Sequence, residues 1–260
     1  MQYGMNKLKM EKNKISWPWK NSEEFYDMQA KDLFSHLDEV PFYHVAAIGN
    51  TPEEFIDYII NENNINEDSM VVDLGCGGGY VVNKLSNICE IEGVSNSKEC
   101  IKQAKINYPN NKFLVENMET YSGRNKTHCL TLESLFYSNV ENTFKNISKV
   151  LNKEGIFSIK EWCYTGNHDE SMLESKEYWE DKYKYYPLKI SEIITIAENN
   201  GFKLLKAKQL TDMNHEYWFK SLKYHHLAHN EFDASIKTLG DSWSDIWPLL
   251  WAYQLKFMKI

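Results

Sequence analysis

No stretch of the 260-residue sequence approaches the ~20 consecutive apolar residues of a membrane-spanning helix, so no membrane span is expected. A basic excess is missing too. Lys and Arg number 29 against 37 Asp and Glu, a net charge of −8, and a nonspecific grip on nucleic acid would need a basic face. There is also no (N/D)PP(Y/F) base-flipping motif, so nucleic acid is not an expected partner. The five cysteines, Cys76, Cys89, Cys100, Cys129 and Cys163, are odd in number and include no CxxC pair. That pattern indicates neither a disulfide framework nor a zinc site; most of them lie in apolar runs and read as small core residues of a reduced, cytoplasmic protein. Residues 1–14 carry lysines but no continuous apolar segment of signal-peptide length, so they read as a solvated tail and secretion is not expected. Internal repeats and low-complexity linkers are absent as well.

What is present is ordinary globular composition, 42% apolar and 25% charged, in a length that fits one large domain or a domain with a modest cap. Aromatic residues reach 14%, with 8 Trp and 16 Tyr, and such rings line both cores and apolar ligand pockets. Residues 22–36 space Phe25, Met28 and Leu33 as a helix face, with Ser22 as N-cap, and Pro41 breaks the pattern. Thr51, Pro52 and Glu54 open a second helix running towards Asn61. From residue 70 short apolar strands alternate with helices: strands at 70–74, 90–94, 112–115, 129–132 and 156–159, helices at 80–87, 98–107 and 139–151. A helix at 191–200, a strand at 202–208 and a returning strand at 253–260 follow. This alternation argues for an α/β fold with a parallel sheet covered on both faces. The organisation expected is a helical N-terminal cap over 1–64, an α/β core over 65–210, and a cap insertion with a final strand over 211–260.

Val71-Val72-Asp73-Leu74-Gly75-Cys76-Gly77-Gly78-Gly79-Tyr80 is the strongest signal in the chain. A buried strand runs into a glycine turn that opens a helix, and the glycines let the backbone turn tightly and approach a ligand. The dinucleotide fingerprint would place glycine where Tyr80 stands, and a phosphate-binding P-loop would need Gly-Lys-Ser/Thr. The segment resembles motif I of the class I S-adenosylmethionine-dependent methyltransferases. The resemblance implies a doubly wound, mostly parallel seven-stranded sheet with a helical cap. It also implies that the loop, Gly75, Cys76 and Gly77 included, holds the methionine end of S-adenosylmethionine while Asp73 anchors it, with S-adenosylhomocysteine as product. Where most members carry an acid that grips the ribose hydroxyls, this chain has Ser95, followed by Asn96; a hydroxyl makes weaker hydrogen bonds than a carboxylate. The segment GVSNSKEC resembles the GVTLSxxQ variant of the cyclopropane-synthase-like branch, with Cys100 in the place of Gln. Residues 113–119, FLVENME, resemble a strand end written GDMED in relatives, which puts Asn117 at the adenine amino group and gives Met118 a backbone contact.

The chemistry beyond the cofactor rests on the same resemblance. Leu130 to Tyr137, LTLESLFY, lies at a strand's carboxyl end, where doubly wound sheets place their ligands. Glu133 matches the general base of prenyl-diphosphate C-methyltransferases (NNES there, TLES here) and also touches the cofactor region. Its apolar neighbours would raise its pKa by desolvation. Residues 150–155 resemble an LRPGG turn, 160–164 (KEWCY) the YEWCMT segment of sterol C-methyltransferases, and 210–218 the DLTxxxxPYWELR segment of related enzymes. The relatives methylate an alkene carbon, which leaves a carbocation that aromatic faces stabilise and a carboxylate deprotonates. Tyr43, Tyr183, Tyr217 and Trp218 are the candidates for the aromatic wall, Tyr43 closing over the sulfonium. His225, His226 and His229 stand at helical spacing but are not expected to bind metal; Mg²⁺ would enter only with a diphosphate substrate. Two rival readings stay open: O- or N-methylation of a small natural-product metabolite, and a protein that binds the cofactor without catalysis. The expected partner is a small molecule, and a homo-oligomer is left open.

Overall fold

The computed structural model describes residues 20–34, 52–166, 176–177, 180–181, 184–210 and 250–260. Helix α1 (Ser22–Phe34) and α2 (Pro52–Asn63) precede the sheet. Then come β1 (Met70–Leu74), α3 (Tyr80–Leu85), β2 (Glu90–Ser95), α4 (Lys98–Asn107), β3 (Lys112–Val115), β4 (Lys126–Leu132), a 3₁₀ turn (Leu135–Tyr137) and α5 (Val140–Val150). The described chain ends with β5 (Leu151–Tyr164), α6 (Ile190–Asn199), β6 (Phe202–Gln209) and β7 (Leu250–Lys259). The strands form a seven-stranded sheet in the order β3-β2-β1-β4-β5-β7-β6. β1 through β5 pair in parallel, and β7 enters antiparallel between β5 and β6. The doubly wound α/β fold expected from the sequence is the one observed.

The reasons are local first. β1 is covered on both faces, with Val71, Val72 and Leu74 fully buried, so it reads as a continuous apolar run and not as an alternation. Ser97 caps α4 by accepting the Cys100 N–H at 3.1 Å, and Asn139 caps α5 by accepting the Asn142 N–H at 3.0 Å. Packing follows: Phe144 of α5 meets Phe157, Phe202 and Phe257 of three strands edge-on, with centroids 5.0, 5.5 and 5.6 Å apart. That wedge fixes α5 against the antiparallel half of the sheet.

Two expectations are corrected. β5 starts at Leu151, directly after α5, and not at 156 after a turn: Leu151 pairs with Lys126, and the register shifts before His128 pairs with Ile156. Glu154, with φ 63°, absorbs the extra residues inside the strand. β4 likewise starts three residues early, because its polar opening is satisfied by neighbours: Lys126 by Glu92 and the His128 ring by the Asn63 carbonyl at 3.0 Å. All five cysteines are buried and free. Among the described residues no helix is long and apolar enough to cross a membrane.

Candidate functional site

The glycine loop lies at the carboxyl end of β1, beside the point where strand order reverses between β1 and β4. The Gly75 and Cys76 N–H groups both donate to the Val94 carbonyl, at 2.7 and 3.1 Å, which ties the loop to β2. Gly75 and Gly79 are left-handed, φ 86° and 87°. A Cβ at Gly75 would run into Ser134, and one at Gly79 would come within 2.6 Å of the Phe113 ring. These two glycines are therefore demanded by packing as well as by the turn. The N–H groups of Gly77 and Gly78 have no acceptor among the described residues, so they remain available as donors. Asp73 is buried, pairs in register with Gly93 and Leu130, and its carboxyl is pushed up to about 7 by desolvation. None of the described side-chain hydrogen bonds reaches that carboxyl.

The ends of β2 and β3 come next to this loop. Ser95 accepts the Ser97 N–H at 3.2 Å and, through its carbonyl, the Glu116 N–H at 3.0 Å. Ser97 in turn donates its hydroxyl to Asp27 of α1, which also receives the Glu99 N–H at 3.2 Å. Asn117 is exposed in the loop after β3 and folds its side-chain oxygen onto the Glu119 N–H at 2.8 Å. In the same turn the Met118 carbonyl accepts the Asn146 side-chain amide at 3.0 Å.

The ends of β4 and β5 hold the titratable cluster. Glu133 follows β4 with φ 60°, a conformation costly for a residue with a Cβ, and its N–H donates to the Lys160 carbonyl at 2.7 Å. Its carboxylate pairs with the Lys160 ammonium, which is fully buried and lies 5.6 Å from the centroid of the Trp162 ring. The apolar surroundings expected for Glu133 therefore include a cation. Burial pulls Lys160 down to about 7, with Glu161 opposing. Glu161, the next residue and so on the other face of the strand, is raised to about 7 by burial. Its oxygens accept the Leu135 N–H at 3.0 Å, the Trp162 N–H at 3.2 Å and the Tyr185 hydroxyl. Ser134 donates to the Leu74 carbonyl at 2.6 Å, fastening this corner to the end of β1.

The structure thus brings together Asp73, Gly75, Cys76, Gly77, Ser95, Asn96, Asn117, Met118 and Glu133 along the carboxyl edge of β3-β2-β1-β4. Tyr43, Tyr183, Tyr217, Trp218, His225, His226 and His229 lie outside the described residues. Among the described residues no group of His, Cys, Asp and Glu is placed to hold a metal ion. Sequence reasoning assigned no role to Lys160, Glu161, Tyr185 or Asp27. A lysine and a glutamate side by side in an apolar strand were a visible signal; Asp27 left none, because its partner lies in another element.

A family model described as a methyltransferase domain matches residues 65–223. The sterol 24-C-methyltransferase of Candida albicans is 27% identical over 186 residues, covering 64% of this chain and 48% of the relative, so the chain spans about half the length of that relative. In fold, the chain is similar to a cyclopropane synthase from Mycobacterium tuberculosis (TM-score 0.75, 16% identity, 90% of this chain and 98% of that one). It is also similar to the geranyl diphosphate C-methyltransferase from Streptomyces coelicolor, solved with Mg²⁺, geranyl diphosphate and S-adenosyl-L-homocysteine (TM-score 0.65, 16% identity, 94% and 100%). S-adenosylmethionine suits the groups described above: a buried carboxyl at the end of β1 and two N–H groups of the glycine loop that follows it, each lacking a protein partner among the described residues.

Proposed function

Because the chain belongs to the methyltransferase-domain family, we propose that it transfers a methyl group from S-adenosylmethionine to a small molecule, on an alkene carbon of a prenyl-type or related apolar acceptor. In this reading Asp73 takes the donors at the methionine end of the cofactor, while Gly75, Cys76 and Gly77 form the loop around it. Ser95, Asn96, Asn117 and Met118 border the adenosine. The bound cofactor supplies an electrophilic methyl group and leaves as S-adenosylhomocysteine. The methylated acceptor is a cation that must lose a proton, and Glu133 accepts it. Lys160 aims the Glu133 carboxylate and balances its charge, and the Trp162 ring lies beside the ammonium. Tyr43, Tyr183, Tyr217 and Trp218 remain the candidates for the aromatic wall that stabilises the cation, and Mg²⁺ would accompany only a diphosphate acceptor.

The observation that carries the reading is Glu133 itself. It is a carboxylate in a left-handed turn at the end of β4, held by Lys160 and tied through Ser134 to the strand that leads into the glycine loop. O- or N-methylation would also use a base, but its cationic product carries the charge on oxygen or nitrogen and needs no aromatic wall, so the labelled atom separates the two readings. The test is incubation with methyl-labelled S-adenosylmethionine and a panel of prenyl diphosphates, sterols and hydroxyl- or amine-bearing metabolites, read by mass. A product labelled at carbon is expected. Label appearing only on oxygen or nitrogen would overturn the alkene reading. For the cofactor, Gly77→Val puts a β-branched residue at φ 49° in the loop, and loss of S-adenosylhomocysteine binding by calorimetry is the expected result.

A further inference from the structure

In the reading above, the methionine end of the cofactor lies at Asp73 and the glycine loop, after β1, and its adenine lies at Asn117, after β3. The sheet order β3-β2-β1 then puts the ribose over the end of β2. A ribose presents two adjacent hydroxyl donors, which are best received by a charged acceptor. The end of β2 offers only Ser95, whose hydroxyl oxygen already accepts the Ser97 N–H. One carboxylate does reach this spot, and it comes from outside the sheet. Asp27 of α1 takes the Ser97 hydroxyl and the Glu99 N–H on a single oxygen, Oδ1, and its Oδ2 has no partner among the described residues.

The way α1 is held supports a role at the site. Ser22, Tyr26 and Ala30 lie one turn apart on a single face of the helix, and Tyr26 and Ala30 pack at Cys100 of α4. The same face reaches the 3₁₀ turn after β4: the Tyr26 and Tyr137 hydroxyls are 2.9 Å apart and their rings meet edge-on at 5.2 Å, while Ser22 reaches the Tyr137 carbonyl at 3.5 Å. Since β1 lies between β2 and β4, a helix that touches both the start of α4, after β2, and the 3₁₀ turn after β4 spans the carboxyl end of β1. Asp27 is carried on that crossing helix, on the β2 side.

We propose that Asp27, and not a residue of the sheet, is the carboxylate that receives the ribose hydroxyls of S-adenosylmethionine. The proposal rests on the cofactor placement given above, and wild-type binding of S-adenosylhomocysteine tests that placement by itself. Calorimetry with S-adenosylhomocysteine and its 2′-deoxy analogue then completes a cycle with Asp27→Ala. Loss of a charge-assisted pair should weaken S-adenosylhomocysteine by about tenfold or more, while the analogue, lacking a hydroxyl, is weakened distinctly less. Asp27→Asn, which keeps the size and shape of the side chain, should show the same selectivity in smaller measure and stands in if the alanine variant fails to fold. Adding Ser95→Asp to Asp27→Ala restores a carboxylate at the end of β2 and should recover S-adenosylhomocysteine affinity. Equal weakening of both ligands would mean that Asp27 only docks α1, and unchanged affinity would remove it from the site; either result overturns the proposal.

Discussion

Two buried ion clusters sit in the same sheet and behave in opposite ways. Towards the amino ends of the strands, Glu92 of β2 is ringed by Lys126, Lys112 and the Tyr121 hydroxyl. Burial alone would raise its carboxyl, but these donors outweigh it and hold the pKa at about 2. At the carboxyl ends of β4 and β5, Lys160 is pulled down to about 7 and Glu161 pushed up to about 7, because burial outweighs the partners each has. The first cluster is a lock whose charges never change near neutrality. The second lies where doubly wound sheets bind ligands, and burial there works against both charges. In the first cluster the partners outweigh burial, and in the second burial outweighs the opposing charge.

The sharpest way to break this contrast is Glu133→Gln, which keeps size but cannot accept a proton. Turnover should fall about 10²–10⁴-fold with cofactor affinity near wild type; retained turnover would take Glu133 out of the chemistry. Glu92→Gln attacks the lock and strands the buried Lys126. Urea unfolding should show a loss of about 3–5 kcal/mol, with cofactor affinity unchanged. The sign with pH follows from the depressed carboxyl: the stabilisation from Glu92 is fully present above the ordinary value of 4.5 and disappears as pH falls through about 2. Next comes Asp73, whose pKa of about 7 without ligand should drop once donors meet it. S-adenosylhomocysteine affinity should then rise with pH by up to about tenfold per unit below neutrality and flatten above it. Asp73→Asn should abolish the slope, and a flat wild-type profile would detach Asp73 from the cofactor. The smallest effect belongs to Lys112→Ala: that side chain is 63% exposed, so its pair with Glu92 should be worth about 1 kcal/mol or less.

What the sequence made legible is what depends on neighbours along the chain. The apolar run of β1, the glycine turn after it and the helices over 98–107 and 139–151 are short-range patterns, and each lies where expected. What stayed hidden depends on partners far away. The polar opening of β4 reads as loop until Glu92 and the Asn63 carbonyl are seen to satisfy Lys126 and His128. Tyr185 lay in a polar aromatic stretch with nothing to point it at Glu161, and Asp27 is 70 residues from Ser97. The segment KEWCY was recognised by likeness, yet the likeness gave no hint that Lys160 pairs with Glu133 across adjacent strands.

The antiparallel entry of β7 bears on how the molecule assembles. β6 touches the sheet only through β7, and β7 follows β6 only after the whole of residues 210–249. Strands β1 to β5 can zip together as they emerge during synthesis, each joining a neighbour already made. β6 has no such neighbour and must wait, with α6 folded beside it, until β7 arrives to fill the gap. Non-local pairing of this kind pays its loop-closure entropy before it gains contacts, so completion of the sheet should be a late step in folding. Until then the edge of β5 and both edges of β6 stay open to pairing with other chains, and this half of the molecule is where misassembly would begin.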